Sequence, residues 1–430
     1  MEAEQAAKNA LLCALEAKEG EKITIICDDT RREVGKAFEK GALGINLRSN
    51  LFVLETSPHV FREEISPDLA EYIENQETDI YINLLRGPRE ETPFRIKLIH
   101  RETRDHKTKL GHCPGITLNM LTEGALALNV DEHKKMQDFS QKLIEKLREV
   151  VKMEICSDQG TNLSLNVKGR PFFTDTVLNR KYIKWMNLPT GEVIVAPVED
   201  SLKGKLVCDL AIGGIGLLNN PVSIIVKKGS VEAVTCDNSD VLRKVQNSLH
   251  MDAMAKIVGE FAFGINPKAR ATYEFLETEK LFGTIHIAFG NNTDMPKGKN
   301  TSVNHMDFMI SKPTVNGITA DGKKIGLLTN GVFQIRENEV LSDKEKLPIS
   351  NFCQVIDYIN IFKTDLWWEA IVLFEVYGRR QIGMYLWQKK NEKWKRKNKF
   401  GIRTLDEWNR LKAVTDHLAQ KISTHDNNQI

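Results

Sequence analysis

GTIHIAFGNN (residues 283–292) is an apolar run bracketed by glycines, and NHMDFMI (residues 304–310) is a second apolar run shortly after it. Short apolar runs bounded by glycine and asparagine read as buried strands. Side chains of a strand alternate between its faces, so His305 and Asp307 point the same way. His286, nineteen residues before His305, completes the group from a neighbouring strand. Two imidazoles and one carboxylate form a mixed nitrogen and oxygen set suited to zinc, cobalt or iron. An aspartate on an apolar strand needs a partner for its charge, and a metal ion is one such partner.

A chain of 430 residues is long for a single core, so two to three domains are expected. No run approaches the roughly eighteen apolar residues of a membrane span. The first twenty residues, MEAEQAAKNALLCALEAKEG, read as an amphipathic helix rather than a signal peptide. The net charge of +2 implies no attraction of the whole protein to polyanions. The seven cysteines (Cys13, Cys27, Cys113, Cys156, Cys208, Cys236, Cys353) are scattered and form no C-x-x-C. That argues against a disulfide framework or thiolate zinc site and leads to an expectation of cytoplasmic residence.

Residues 1–152 alternate helix and strand. Helices are expected over 2–18, from Thr30 through RREVGKAFEKGA, and over 66–75; strands are expected at 22–29, 50–55 and 78–85. This alternation predicts an α/β domain with a parallel sheet covered on both faces. A charged amphipathic helix over 131–152 leads out of it. From 153 to 339 short runs such as TNLSLNVKGR, GEVIVAP, KLVCDLAI, PVSIIVKKG and SVEAVT predict a β-rich α+β metal-binding catalytic domain, interrupted by a helix near 239–258. Residues 340–364 read as a linker. Residues 365–430 read as a basic, Trp-rich β-β-β-α module: strands at 367–377, 381–388 and 393–403, then a helix from Thr404 with Glu407 as its capping-box partner.

Several polar residues join the candidate site. Glu260, in GEFAFGINPKA after a helix-like stretch, is a candidate ligand, or the base that takes a proton from bound water; a helix-end salt bridge is its alternative. Glu277 and Glu279, in the charged run ETEK, read as surface charges. His112 reads as a turn residue in GHCPGIT. The polar turn NLPTGEV (187–193), with Asn187, Thr190 and Glu192, is a candidate substrate-cleft lining, as is Asn291 beside Asn292 after the His286 strand; turn chemistry explains both equally well.

GHCPGIT (111–117), GTNLSLNVKGR (160–170), NLPTGEVIVAPVEDS (187–201), GIGLLNNPVSIIVKKG (214–229), GEFAFGINPKA (259–269), EKLFGTIHIAFGNN (279–292) and NHMDFMI occur in this order. Singly they are weak, but the ordered set resembles the aminopeptidase T family of metallopeptidases and its relatives over residues 1–335. The resemblance implies a homodimeric hydrolase that removes N-terminal residues from peptides. It also implies zinc, cobalt or manganese held by Glu260, His286, His305 and Asp307. Two family positions are not matched. Asn219 and Asn220 stand where a further glutamate ligand is expected, and residues 287–300 lack a tyrosine, with Thr293 near its place. Loss of a carboxylate predicts a weaker or absent second metal. A single-ion site of His286, His305 and Asp307 is the alternative, similar to the two-His, one-carboxylate set of the related dihydroxypyridine ring-cleaving dioxygenases, which use Fe(II) on small aromatic molecules.

Five of the six tryptophans lie in the last 64 residues, and residues 379–400 hold nine Lys or Arg against one acid, Glu392. Strands that combine cations with aromatics suit single-stranded nucleic acid, with Arg380, Lys389, Trp394, Lys395 and Arg396 as the candidate contacts. KWKRKNKFGIRTLDEWNRLK is similar to the helix-terminated coactivator-type single-strand-binding modules. A packed appendage with a solvated basic face that serves as a dimerisation element is the alternative, as is a degenerate enzyme domain carrying a nucleic-acid module.

Overall fold

The computed structural model describes residues 1–104, 107–178, 185–335, 347–349, 353–364, 366–376, 378–390, 393–404, 406–411 and 414. The chain forms two compact units, Met1–Gln334 and Ile335–Ile430.

The first unit opens with a five-stranded parallel sheet in the spatial order Arg48–Leu54, Lys22–Asp28, Ile80–Leu84, Lys109–His112, Met186–Asn187. Alternate residues of KITIICD serve opposite cores. Ile23, Ile25 and Cys27 pack with the helices Ala3–Cys13 and Arg32–Leu43, while Ile26 packs with Leu69, Ile73, Phe94 and Leu98 from the helices Pro67–Asn75 and Thr92–Glu102. Burial on both faces explains why this strand is an unbroken apolar run. The first helix is shorter than expected because Glu16 adopts φ +49°, a left-handed cap, and Leu15 N–H bonds back to the Ala10 carbonyl. Helix Val130–Leu147 starts at an Asn129–Glu132 capping box. It stops before the strand Val150–Cys156, so strand already occupies the end of the stretch expected to be helical. The helix expected near 239–258 spans Ser239–Leu249, with the Asn238 side chain capping it.

Two antiparallel sheets complete this unit. One has eight strands, with Val150–Cys156 and Thr314–Thr319 at its middle. The other has seven, in the order Gly216–Leu217, Ala211–Ile212, His305–Ile310, Ile285–Gly290, Val258–Gly264, Glu192–Val195, Phe173–Thr174. One face of its central strands is apolar and buried: Val193, Val195, Phe261, Phe263, Ile287, Phe289, Phe308 and Ile310. The other face carries the polar residues described below. Met186–Asn187 joins the parallel sheet although it lies beyond residue 152, so the two halves of the unit interlock through the chain's return.

The second unit is a four-stranded antiparallel meander, Gln354–Lys363, Trp367–Val376, Arg379–Lys390 and Lys393–Ile402. The first of these falls in the stretch expected as a linker, so the module has four strands where three were expected. Its core stacks Trp368, Phe374, Tyr385 and Trp387 on one face. Residues 406–411 are helical, and Thr404 Oγ1 accepts from Glu407 N–H at 3.1 Å while the Glu407 carboxylate accepts from Arg403 N–H rather than from Thr404. The continuation of this helix past residue 414 lies outside the described residues.

Gly290 closes the His286 strand at φ +116°, and a Cβ there would stand 2.1 Å from the Asn304 carbonyl oxygen. Only glycine satisfies both constraints. Gly290→Ala is expected to lower unfolding free energy by about 2–4 kcal/mol, read as a lower urea midpoint at unchanged slope.

Candidate metal centre

Four adjacent strands of the seven-stranded sheet each deliver polar side chains to the same face. Glu192 lies opposite Gly264, Glu260 opposite Ala288, Ala288 opposite Asp307, and Gly290 opposite His305. His286 faces Ala262 across its own pair. Ala262, Gly264, Ala288 and Gly290 lie among the charged residues on this face, with Met309 opposite His286 and Ile194 opposite Ala262, and the small residues leave room above the sheet for the longer side chains to converge.

The ligand atoms form two overlapping groups, Glu192–Glu260–His286 and Glu260–His305–Asp307. His286 Nε2 lies 3.2 Å from Glu192 Oε1 and 3.3 Å from Glu260 Oε1. His305 Nε2 lies 3.2 Å from Glu260 Oε2 and 3.4 Å from Asp307 Oδ1. Glu260 is thus shared, one oxygen towards each imidazole. His305 Nδ1 lies 2.9 Å from the Asn291 carbonyl, which can only accept, so Nδ1 carries the proton and Nε2 faces the group.

A second tier surrounds this cluster. Lys280, 1% exposed, places its ammonium against the carboxylates of Glu192, Glu279 and Asp175. Asp175 also accepts from the backbone N–H groups of Gly191 (2.9 Å) and Glu192 (2.7 Å), which pins the turn that carries Glu192. Gly191, at φ +138°, fits there because a Cβ would stand 2.5 Å from Asn266 Cβ.

Burial opposes charge throughout this site. It raises the carboxyls of Glu192, Asp175 and Glu279 above their ordinary range. It acts the same way on Glu260, where hydrogen bonds and charge from His286 and His305 outweigh it and bring the carboxyl below its usual value. His286 is pushed up to about 9: burial disfavours its cation, but Glu192, Glu260 and Asp307 more than compensate. The same contest, led by burial against Asp307 and Glu260, raises His305 well above its ordinary value.

The donor set fits divalent cations. Glu192 Oε1 is buried with no hydrogen-bond partner and lies beside the ring nitrogen of His286. The site holds five buried carboxylates, Asp175, Glu192, Glu260, Glu279 and Asp307, against a single ammonium, which contacts Asp175, Glu192 and Glu279. With neutral imidazoles that leaves four negative charges, the charge of two dications. Carboxylate and imidazole donors suit zinc, manganese or cobalt.

The structure brings His286, His305 and Asp307 together as the strand alternation requires, and corrects other expectations. Glu260 lies inside the strand Val258–Gly264, not at a helix end. Glu192, expected to line a substrate cleft, joins the ligand group; the turn reading hid it, and only its position ahead of an apolar strand hinted at burial. Asn219 and Asn220 sit in an exposed turn and enter neither group. Glu277 and Glu279 are buried rather than surface charges: Glu277 pairs with Arg270 at 3.1 Å and Glu279 with Lys280 at 2.8 Å. Among the cleft candidates, Asn187 is a strand residue of the parallel sheet, the Thr190 carbonyl accepts from Asn266 Nδ2, and Asn291 acts through its backbone on His305. His112 ends the strand Lys109–His112 outside the group, where burial pushes it down to about 3.

In the second unit, Trp394 packs edge-on against Trp368 at 5.5 Å and belongs with the aromatic core rather than standing free for base stacking. Lys389 is half-buried, whereas Arg380, Lys395 and Arg396 are exposed; Arg380 lies 3.6 Å from Glu375.

This architecture is that of an α/β sheet joined to a β-rich part that carries a cluster of candidate metal ligands. Residues 127–333, which contain the whole cluster, match the family model Peptidase_M29, thermophilic metalloprotease. That is the family the ordered sequence motifs resemble. The structure is similar to 2,5-dihydroxypyridine dioxygenase from Pseudomonas putida KT2440 (14% identity, TM-score 0.58, covering 78% of this chain and 97% of that one). It is also similar to wild-type AmpT from Thermus thermophilus (17% identity, TM-score 0.56, covering 78% and 99%). At these identities the likeness concerns the fold. No curated protein sequence matches the chain. Among the described residues no helix is long and apolar enough to cross a membrane.

The raised histidines set a pH signature. In protein stripped by a chelator, the charged form of His286 contributes stability fully below about pH 6.5, its unfolded value, and loses it as pH rises through about 9. Metal ligation needs neutral imidazole, so stabilisation by bound ion grows over the same window. Melting temperatures measured from pH 6 to 9.5 are expected to fall with pH in the stripped protein, while the increment on adding zinc or manganese rises. An increment that shrinks with pH would contradict the histidine assignment.

Proposed function

We propose that the chain is a metal-dependent, aminopeptidase-like hydrolase that holds two divalent ions. The observation that carries this reading is the sharing of Glu260 between two donor groups with one imidazole each. A single-ion facial set, as in a ring-cleaving Fe(II) dioxygenase, needs both imidazoles on one ion, and the two imidazoles fall in different groups. The family match over residues 127–333 supports the hydrolase direction.

Glu192 and His286 would hold one ion, His305 and Asp307 the other, with Glu260 between them. When bound, such a pair polarises a peptide carbonyl and lowers the pKa of a bound water. The protein's own groups divide the remaining work. Both oxygens of Glu260 face imidazoles, so Glu260 is suited to holding charge rather than accepting a proton, contrary to its expected role as base. Glu279 is not committed to an imidazole. Burial raises its carboxyl against the opposing charge of Lys280, 2.8 Å away, with the Asp307 charge adding to the rise, and we assign it the role of proton acceptor. Asp175 and Lys280 orient Glu192.

Elemental analysis of protein purified without added metal is expected to return two zinc, cobalt or manganese per chain, falling to one or none in Glu192→Ala and His305→Ala. Leucyl-anilide hydrolysis should disappear in both. Glu279→Gln should keep its metal and lose about 10²–10⁴-fold in kcat. One iron per chain, with oxygen uptake on a dihydroxylated pyridine, would replace the hydrolase with a dioxygenase.

For the second unit, exposure of Lys393, Lys395, Arg396, Lys397 and Lys399 along one edge strand favours a polyanion, with single-stranded nucleic acid as our reading. Binding of a fluorescent oligonucleotide to the full chain should weaken steeply with salt and vanish in residues 1–334 alone. Equal binding by the truncated chain would remove that role.

A further inference from the structure

Arg89 is half-buried and has no carboxylate partner among the described residues. Its Nη2 donates to two neutral acceptors, Ser248 Oγ at 2.9 Å and Asn304 Oδ1 at 2.8 Å, and also approaches the Met251 sulfur. Neither Nε nor Nη1 has a hydrogen bond within the described residues. The other arginines of this region are better occupied. Arg62 bridges Asp28 and Glu91, Arg86 pairs with Glu91, and Arg95 donates to two carbonyls and the Thr92 hydroxyl.

The position of Arg89 is as telling as its lack of a counter-ion. It follows the strand Ile80–Leu84. Chain order in the parallel sheet reverses between this strand and Lys22–Asp28: one connection runs outward to Arg48–Leu54, and the next returns to Ile80–Leu84 on the other side. The crevice beyond the carboxyl ends of the strands at such a reversal is where open α/β sheets take ligands. Here the crevice reaches the metal cluster. A Cβ on Gly213 would stand 3.2 Å from Asp307 Oδ2, and one on Gly214 would stand 3.4 Å from Arg89 Cδ. Two glycines thus separate the Arg89 stem from a candidate ligand. Asn304, which anchors the guanidinium, immediately precedes His305.

We propose that Arg89 is the receptor for a substrate carboxylate, in a subsite beside the metal cluster. With Nη2 occupied by Ser248 and Asn304, the guanidinium keeps Nε–H and the Nη1 hydrogens for a charge-assisted hydrogen bond to a carboxylate oxygen. The substrate class is a short peptide whose carboxylate lies just past the cleaved bond, either the α-carboxylate of a dipeptide or the side chain of an acidic second residue. The inference deepens the aminopeptidase reading and rests on it for the word substrate; the subsite itself requires only binding.

The test uses two matched pairs: Leu-Gly against Leu-Gly-amide, and Leu-Glu-amide against Leu-Gln-amide. Rates are measured on the metal-loaded full chain, and affinities by calorimetry on the chelated chain. A charged hydrogen-bonded contact predicts about a ten- to hundredfold preference for the carboxylate member of one pair, and which pair shows it identifies the source. Arg89→Met should bring that ratio to about one, and Arg89→Lys should leave it between. If Arg89 were only a strut, Arg89→Met would depress both members alike and keep the ratio, which overturns the proposal. Wild-type protein that treats both pairs equally overturns it without any variant. A binding preference lost in Arg89→Met, with no hydrolysis of any peptide, keeps the subsite and removes the peptidase reading.

Discussion

The carboxylate of Glu260, gripped by an imidazole on each oxygen, is the contact on which this centre depends. It joins the strands Val258–Gly264, Ile285–Gly290 and His305–Ile310 by charge as well as by backbone pairing. It also makes one site of what would otherwise be two pairs of side chains. Such a contact can exist only where like charges are tolerated, and the protein arranges this in two ways. It sets alanine and glycine between the charged positions, and it buries a lysine among the outer carboxylates. The remaining negative charge is left for cations.

The opposite face of the same strands explains why the arrangement holds still. Val193, Phe261, Phe263, Ile287, Phe289 and Phe308 are fully or almost fully buried, so each strand is fixed in register by apolar packing. A slip of one residue would turn Glu260 into the core and Phe261 into the site, at the cost of burying an unpaired carboxylate. Register and chemistry are therefore one constraint. The Gly290–Asn304 approach at the end of the pair sets the same register from the backbone side.

Some of the site was legible beforehand, and the reason is local. His305 and Asp307 share a face because strand periodicity is two, and His286 lies in a run whose glycine boundaries mark it as a neighbouring strand. Two strands of the parallel sheet, Lys22–Asp28 and Ile80–Leu84, were legible for a similar reason: an apolar run with no alternation has to be covered on both sides. Glu192 was not legible. It follows a proline-glycine turn, and turn chemistry accounts for its neighbours without any ligand role. Glu279 and Lys280 looked like a solvated charge run because a sequence shows charges but not the partners that permit their burial.

Sequence alone determined the alternation of elements, the strand identity of the histidine segments, the family likeness and the basic, tryptophan-rich end of the chain. These follow from short-range periodicity and composition. Tertiary structure alone decided that Glu192 stands beside His286, that Glu260 bridges two imidazoles, that Lys280 is enclosed by acids, and that Trp394 packs into a core. Each depends on strand order and on which charges meet, and these long-range pairings leave no mark in the local pattern of residues.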